Sequence, residues 1–136
     1  MKKKFEFLEH TGDIKFKVYG KKLENLFENC ALAVSSIFSR NGKIKSEVKK
    51  KISVSGKDNE SKLYNFIDEL IYLFDADGFV VSKAKVKILF DQIEATIYGD
   101  YSNNYNDLDS IKSPTYAEMY VKNKGNLWEA QVVVDV

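Results

Sequence analysis

The chain has 136 residues, of which 44% are hydrophobic and 13% aromatic, so we expect one domain spanning residues 1–136 with a substantial core. Its 21 basic residues nearly balance its 20 acidic residues, and a net charge of +1 argues against a protein held on nucleic acid by a dominant basic field. A single cysteine, Cys30, excludes an internal disulfide, and no apolar run reaches the roughly 18 residues of a membrane-spanning helix, so we expect a soluble cytoplasmic protein.

The first 40 residues contain two short strand patterns followed by a helix pattern. Phe5–Leu8 and Ile14–Tyr19 are predicted strands, and the second alternates apolar and polar residues with the period of a half-buried strand. A polar segment, Glu9–Asp13, separates them, although a two-residue turn could join such strands. Apolar residues then recur every three or four positions over Leu23–Phe38, which predicts an amphipathic helix with Cys30 on its buried side.

The middle of the chain is predicted to hold a third strand and a second helix. Val48–Ser55 places its apolar residues on one face, as a strand does. The apolar stripe of Ser61–Phe74 predicts the helix, with Asn59 or Ser61 as its N-cap. Gly78 follows at the position where a left-handed residue commonly ends a helix.

The rest of the chain, from Phe79 onward, is rich in strand patterns. Five segments have the composition of strands, and they form one single strand and two hairpins: Phe79–Ser82, Ala84–Phe90 with Ile93–Gly99, and Thr115–Lys122 with Leu127–Val136. Tyr101–Asp109 is predicted to be an irregular polar loop. Because the strands are grouped rather than alternating with helices, we predict an α+β fold, with two amphipathic helices packed on largely antiparallel sheet.

Motifs for the common chemistries are absent from the sequence. The single histidine excludes sites built on two histidines, and there is no glycine-rich phosphate loop and no nucleophile elbow. Asp75–Gly78 begins like a calcium loop, but Val86 occupies the position of the bidentate glutamate, so we interpret the segment as a helix end. The lysine-rich run Lys43–Lys51 is interpreted as a solvated edge or loop, because charged residues protect exposed strand edges.

Two aspartates remain as candidates for chemistry. Asp13 ends the first polar segment, and the alternative interpretation is a turn residue whose carboxylate accepts backbone N–H bonds. Asp135 interrupts the apolar final strand immediately before Val136, whose α-carboxylate follows. Carboxylates so close repel one another unless they are protonated, spread apart or bridged by a hard cation such as Ca²⁺ or Mg²⁺. No spacing rule brings Asp13 and Asp135 together.

Four stretches of sequence share a pattern with one protein family. In chain order they are Phe5–Asp13 with its Glu-His-Thr-small-Asp motif, Tyr19–Gly20 with Leu23–Ala31, Glu69–Asp75, and Ile111–Tyr116 with Trp128–Val136. Across essentially its whole length the chain resembles the archease family, the accessory proteins of the RtcB-type RNA ligase. The resemblance implies a non-catalytic activator that promotes ligase guanylylation and multiple turnover in tRNA splicing and RNA repair. Because the charge is balanced, we expect contact with RNA to be only weak or indirect.

The resemblance also implies a divalent metal, Ca²⁺ first, with Mg²⁺ and Mn²⁺ as alternatives. The family's metal ligands correspond in this sequence to Asp13, Asp135 and Val136. His10 and Thr11 are expected to orient Asp13 from the second shell of neighbours. Gly12 is expected to permit a close approach of the backbone or a positive φ, so that the polar segment presents Asp13.

Some positions depart from the family pattern. Many archeases carry a histidine where this chain has Ala117, and Tyr101–Asp109 fits the family poorly. Lys112 is expected to meet a phosphate or an acidic ligase surface, with an ordinary exposed lysine as the alternative. Two other functions stay open at this point: a metal-dependent hydrolase that uses Asp13 and Asp135, and an RNA-binding or chaperone-like module.

Overall fold

The computed structural model describes residues 3–136, and within them seven strands and two α-helices form two antiparallel sheets. The elements are β1 (Phe5–Leu8), β2 (Asp13–Gly20), α1 (Leu23–Phe38), β3 (Val48–Ser55), α2 (Asn59–Asp77), β4 (Phe79–Leu89), β5 (Gln92–Tyr101), β6 (Ser113–Asn123) and β7 (Trp128–Asp135). Sheet A has the order β1-β2-β7-β6, and sheet B has the order β3-β5-β4. The predicted α+β fold with two helices is therefore confirmed.

The two helices join the sheets around one core. Helix α1 packs on β2 and β4, whereas α2 packs on β3, β4 and β6. Phe27 of α1 and Phe66 of α2 meet edge to face, with ring centroids 5.4 Å apart. Both rings are fully buried, and burial of each stabilises the fold by about 2–3 kcal/mol relative to exposure. Cys30 is buried in this core, as predicted.

The ends of the helices show which capping residues were predicted correctly. Helix α1 has the predicted bounds, but the N-cap of α2 is Asp58, so the prediction of Asn59 or Ser61 was wrong. The Asp58 carboxylate accepts the Ser61 backbone N–H at 2.8 Å, and the Ser61 hydroxyl accepts the Asp58 N–H at 3.1 Å. This reciprocal pair satisfies two otherwise free donors, which favours the earlier start. Gly78 ends α2 with φ of 65°, as predicted.

Neither helix in residues 3–136 combines the length and apolarity that crossing a bilayer requires.

Strand β4 differs from the prediction, which divided this segment into two strands. Phe79–Ser82 and Ala84–Phe90 were expected to be separate strands, but Phe79–Leu89 forms a single one. Its pairing with β5 shifts between Val81 and Lys83, as at a β-bulge. The extra residue breaks the alternation of buried and exposed side chains, so the sequence pattern looks like a strand boundary.

Candidate metal centre

Asp13 and Asp135 form the first cross-strand pair between β2 and β7. These two strands are the central neighbours of sheet A, and their antiparallel register places Asp13 directly opposite Asp135. Residues opposed in this way project from the same face, with Cβ atoms about 4.5–5.5 Å apart. Both aspartates are half-buried. The sheet topology therefore supplies the proximity that the spacing in the sequence did not.

Gly12 controls how the chain enters β2. Its φ is +82°, in the left-handed region that glycine adopts at little steric cost. A Cβ built on Gly12 would meet no atom within 4 Å, so the residue is required by its backbone conformation and not by a close approach. The turn before Asp13 thus ends in a residue that lets the aspartate begin the strand.

Asp135 is fixed from its other side by β6. Its carbonyl oxygen accepts the Lys112 backbone N–H at 2.8 Å, and Ser113 lies opposite Asp135 in the register. A row of Asp13, Asp135 and Ser113 therefore crosses three strands, and the serine adds a hydroxyl oxygen to the two carboxylates. Sequence reasoning missed Ser113 because the strand was predicted to begin at Thr115, two residues too late.

The carboxylate pair has no compensating charge in the described part of the chain. Among residues 3–136, no basic nitrogen lies within 4.0 Å of Asp13 or Asp135. Two opposed like charges without a partner destabilise a strand pair. Carboxylate, hydroxyl and carbonyl oxygens are the donors that a hard cation takes, so the row fits such an ion chemically. The same residues contain no cluster of three or more acidic, histidine or cysteine side chains suited to a metal, so further donors must be Val136, backbone oxygens or water.

A second charged group lies beside this row, on Glu118. The Glu118 carboxylate accepts Lys15 Nζ at 2.8 Å and lies 3.3 Å from His10 Nε2. The hydrogen bond from Lys15 is the main reason that the pKa of Glu118 is lowered. Lys15 follows Asp13 by two residues and thus shares its face of β2. The ion pair with Glu118 compensates a positive charge that would otherwise stand close to the aspartates.

The backbone of β6 is irregular where it carries Glu118. Pairing with β7 is interrupted between Thr115 and Tyr120, and Glu118 has φ of 60°. His10 contacts Glu118. Among residues 3–136, the Thr11 side chain makes no hydrogen bond to Asp13. The roles of His10 and Thr11 in orienting Asp13 stay predictions.

The two other residues expected in the site are on the surface. Val136 is 44% exposed and follows Asp135 directly. The Lys112 side chain is exposed, while its backbone supports Asp135. On the other side, Asp13 lines an open cleft of about 310 Å³ between the β1–β2 hairpin and the end of α1. Arg40 also lines this cleft, but its Nη1 lies 3.8 Å from Asp109 Oδ1.

The loop after β5 is anchored by Asp100 rather than by the carboxylate row. The Asp100 carboxylate accepts the Tyr105 hydroxyl at 2.8 Å, the Tyr101 N–H at 2.8 Å and the Asn104 amide at 3.0 Å. The hydrogen bond from Tyr105 is the first cause of the lowered pKa of Asp100. Tyr105 in turn accepts the Lys45 N–H at 2.8 Å. The polar composition of this loop therefore serves a local network.

Comparison with known families identifies the chain. The model of the "Archease protein family (MTH1598/TM1083)" matches residues 5–136. The chain belongs to the archease family. The archease of Methanosarcina acetivorans is 36% identical over 141 residues, covering 98% of this chain and 97% of the relative. The archease of Pyrococcus furiosus is 35% identical over 141 residues, covering 98% and 99%.

Solved structures share the archease fold. The solution structure of Methanobacterium thermoautotrophicum protein 1598 superposes with a TM-score of 0.80 at 27% identity, covering 98% of this chain and 99% of that one. The crystal structure of TM1083 from Thermotoga maritima, described as "an archease, possible chaperone", gives a TM-score of 0.64 at 20% identity, covering 95% and 94%. The second likeness concerns the fold alone.

Proposed function

We propose that this archease activates an RtcB-type RNA ligase, promoting ligase guanylylation and multiple turnover in tRNA splicing and RNA repair. In this proposal a divalent cation, Ca²⁺ first and Mg²⁺ or Mn²⁺ as alternatives, is held by Asp13, Asp135 and Val136. The observation that carries the cation site is the direct cross-strand opposition of Asp13 and Asp135 without a basic partner in residues 3–136. Membership of the archease family supports the activator role.

The residues around the pair suit a bound cation in distinct ways. Asp13 and Asp135 supply the negative charge, and Ser113 supplies a neutral oxygen in the same row. The hydrogen bond from Lys112 N–H to the Asp135 carbonyl holds the end of β7 against β6. When bound, the cation supplies a fixed positive charge at a surface that otherwise carries opposed acids. Hard cations keep water where protein donors are few, so an open surface is an acceptable setting.

The residues that face the pair support a non-catalytic role. His10 is the only histidine of the chain, and its Nε2 lies 3.3 Å from Glu118, so the imidazole is paired with that carboxylate. A hydrolase would require a general base within hydrogen-bond reach of its nucleophile. The exposed Lys112 side chain, adjacent to the pair, is proposed to contact the ligase or a phosphate that the ligase holds.

The activator role is tested with a purified RtcB-type ligase, GTP and a divalent cation. Covalent guanylylation of the ligase and RNA joined per ligase are followed with no archease, with the parent chain, and with Asp13→Asn, Asp135→Asn or Asp75→Asn. Asp75→Asn is the matched control, because Asp75 is exposed near the end of α2, outside sheet A. We expect the parent and Asp75→Asn to support repeated turnover, and the two site variants to lose the stimulation. No stimulation by the parent would refute the activator role. Full stimulation by both site variants would refute the role of the cation while leaving the activator role intact.

A further inference from the structure

On one face of sheet B, every charged residue of the two outer strands is a lysine, beside the uncharged Ser53, Ser55 and Leu89. The helices cover the other face of this sheet, where Ala84, Ile93 and Ile97 are buried. On the uncovered face, alternate positions of β3 and β4 expose five of the 21 basic residues of the chain: Lys49, Lys51, Lys83, Lys85 and Lys87. We call this surface the lysine face.

The lysines of the lysine face form two rows on either side of β5. The register aligns Lys49 and Lys83 with Tyr98, and it aligns Lys51 and Lys85 with Thr96. Side chains on one face of a strand repeat about every 6.8 Å, and the two rows are two strand spacings, or about 10 Å, apart. Positive charge therefore repeats regularly along both sides of a shallow central strip.

These charges are not neutralised within the protein. Among residues 3–136, none of the five lysines has a carboxylate oxygen within 4.0 Å. The face carries one acid, Glu94, which lies directly opposite Lys87 in the register without a close ion pair. Lys83 Nζ lies 5.3 Å from the centre of the Tyr98 ring, so this ring already has a cation over it.

An unpartnered aromatic ring stands at the end of the β4 row. Phe90 is 99% exposed in the turn between β4 and β5, where its φ is 60°. Within residues 3–136, Phe90 makes no ring-to-ring contact with another aromatic side chain. Lys87 precedes it by three residues, so a free ring follows directly on the lysine row. A ring in that position can stack on a base whose phosphates lie along the lysines.

We propose that the lysine face binds the backbone of single-stranded RNA through its phosphates, with Phe90 stacking on one base. Strands β3 and β4 are both edge strands, and their six lysines with no acid also suit edge protection. Edge protection does not account for the fully exposed ring of Phe90 at the end of the β4 row. A regular repeat of one sign matches a regular polyanion better than an irregular acidic patch on a protein. The lysine face lies on sheet B, away from the Asp13–Asp135 pair of sheet A.

Balanced net charge limits how strong this binding is. With a net charge of +1 the chain has no long-range basic field, so only the local lysines attract phosphate. We expect dissociation constants on the order of 10⁻⁴ to 10⁻⁶ M, the range of non-specific binding, with a strong dependence on salt. The choice of RNA over DNA rests on the proposed function, whereas the attraction to a polynucleotide does not.

The test measures anisotropy of a labelled oligouridine over a series of salt concentrations, with protein alone. The face variant combines Lys51→Gln, Lys85→Gln and Lys87→Gln, and the matched control combines Lys21→Gln, Lys43→Gln and Lys122→Gln. The control lysines are exposed and lie outside sheet B, and their substitution removes the same total charge.

We expect the face variant to bind RNA about tenfold more weakly or worse. The slope of its log affinity against log salt should fall by about 2, at about 0.7 for each lost contact. The control is expected to match the parent, and Phe90→Ala is expected to weaken binding about fivefold or more with an unchanged slope.

Three outcomes would overturn the proposal or a part of it. If the parent does not bind the oligouridine at low salt, the lysine face is not an RNA site. If the face variant and the control lose affinity equally, the effect belongs to net charge and not to this face. An unchanged affinity for Phe90→Ala would remove base stacking. The assay contains neither ligase nor GTP, so its failure is distinguishable from failure of the activator proposal.

Discussion

Asp13 and Asp135 lie directly opposite each other on adjacent antiparallel strands, and no basic side chain in residues 3–136 lies within 4.0 Å of either carboxylate. Opposed like charges cost stability, so their pairing at the ends of the two central strands of sheet A calls for a reason other than folding. A bound cation would convert the repulsion into an attraction. Stability and metal binding should therefore respond in opposite directions to the loss of one carboxylate.

Removal of one charge is the first prediction. In the presence of a chelator, Asp135→Asn should leave the free energy of unfolding unchanged or raise it by about 0.5 kcal/mol, because the repulsion is relieved. Calcium at about 100 times its dissociation constant should stabilise the parent by about 2.7 kcal/mol and the variant much less. Urea unfolding with chelator and with calcium measures both quantities. A variant that is strongly destabilised without metal would show that Asp135 has a structural role.

The second prediction concerns Val136. A chain whose last residue is Val136 carries an α-carboxylate next to Asp135, and a short Gly-Ser extension moves that charge away. Extension at this end should weaken calcium binding, whereas the same extension before residue 1 should not. Calorimetric titration of the two extended chains compares their affinities. Equal affinities would remove the Val136 carboxylate from the site and leave Asp13 and Asp135 as its charged ligands.

The third prediction concerns the Lys15–Glu118 pair. Glu118→Gln leaves the ammonium of Lys15 uncompensated at about 7 Å from Asp13 along the strand. Because calcium carries two charges, repulsion between this ammonium and a cation at the site should lower calcium affinity about sevenfold at low salt in a water-like dielectric. The double variant Lys15→Gln with Glu118→Gln should restore the affinity. A loss that persists in the double variant would mean that Glu118 acts through the β6 backbone instead.

The fourth prediction concerns pH and Glu129, a buried acid on β7. Its carboxylate accepts the Tyr120 hydroxyl at 2.5 Å and Lys124 Nζ at 3.0 Å, and the hydrogen bond from Tyr120 is the first cause of its lowered pKa. A pKa that is lower in the folded state than its ordinary 4.5 stabilises the fold above about pH 4.5, and this stabilisation is lost as the pH falls through the folded value. Glu129→Gln should cost about 1–3 kcal/mol at pH 7. Urea titrations at a series of pH values should show the difference from the parent shrinking below pH 4.5, and a constant difference would contradict this origin.

Local patterns predicted most of the elements of this fold. The apolar spacing over Leu23–Phe38 defined α1 to the residue, and Gly78 ended α2 as its left-handed φ requires. The errors arose where backbone irregularity interrupts a period. The register shift after Val81 divided β4 in the prediction, and the interruption between Thr115 and Tyr120 in β6 left no recognisable signal.

The sites depended on pairings between distant strands. Asp13 and Asp135 could be singled out as unusual acids, but only the β2–β7 register brings them together. The lysines of the lysine face occur in two separate segments, and the run from Lys43 was interpreted as a solvated edge. Strand β5 lies between the two segments and aligns them, which no local pattern could predict.

The most direct test of the cation site is calorimetric titration of calcium into the chelator-treated parent, Asp13→Asn, Asp135→Asn and the control Asp75→Asn. We predict one saturable site in the parent and in Asp75→Asn, and a loss of affinity of at least about tenfold in each site variant, because each removes one of two charged side-chain ligands. Magnesium and manganese titrations of the same proteins rank the alternative ions. Saturable binding of equal affinity in all four proteins, or no binding by the parent, would contradict a metal centre at the opposed carboxylates.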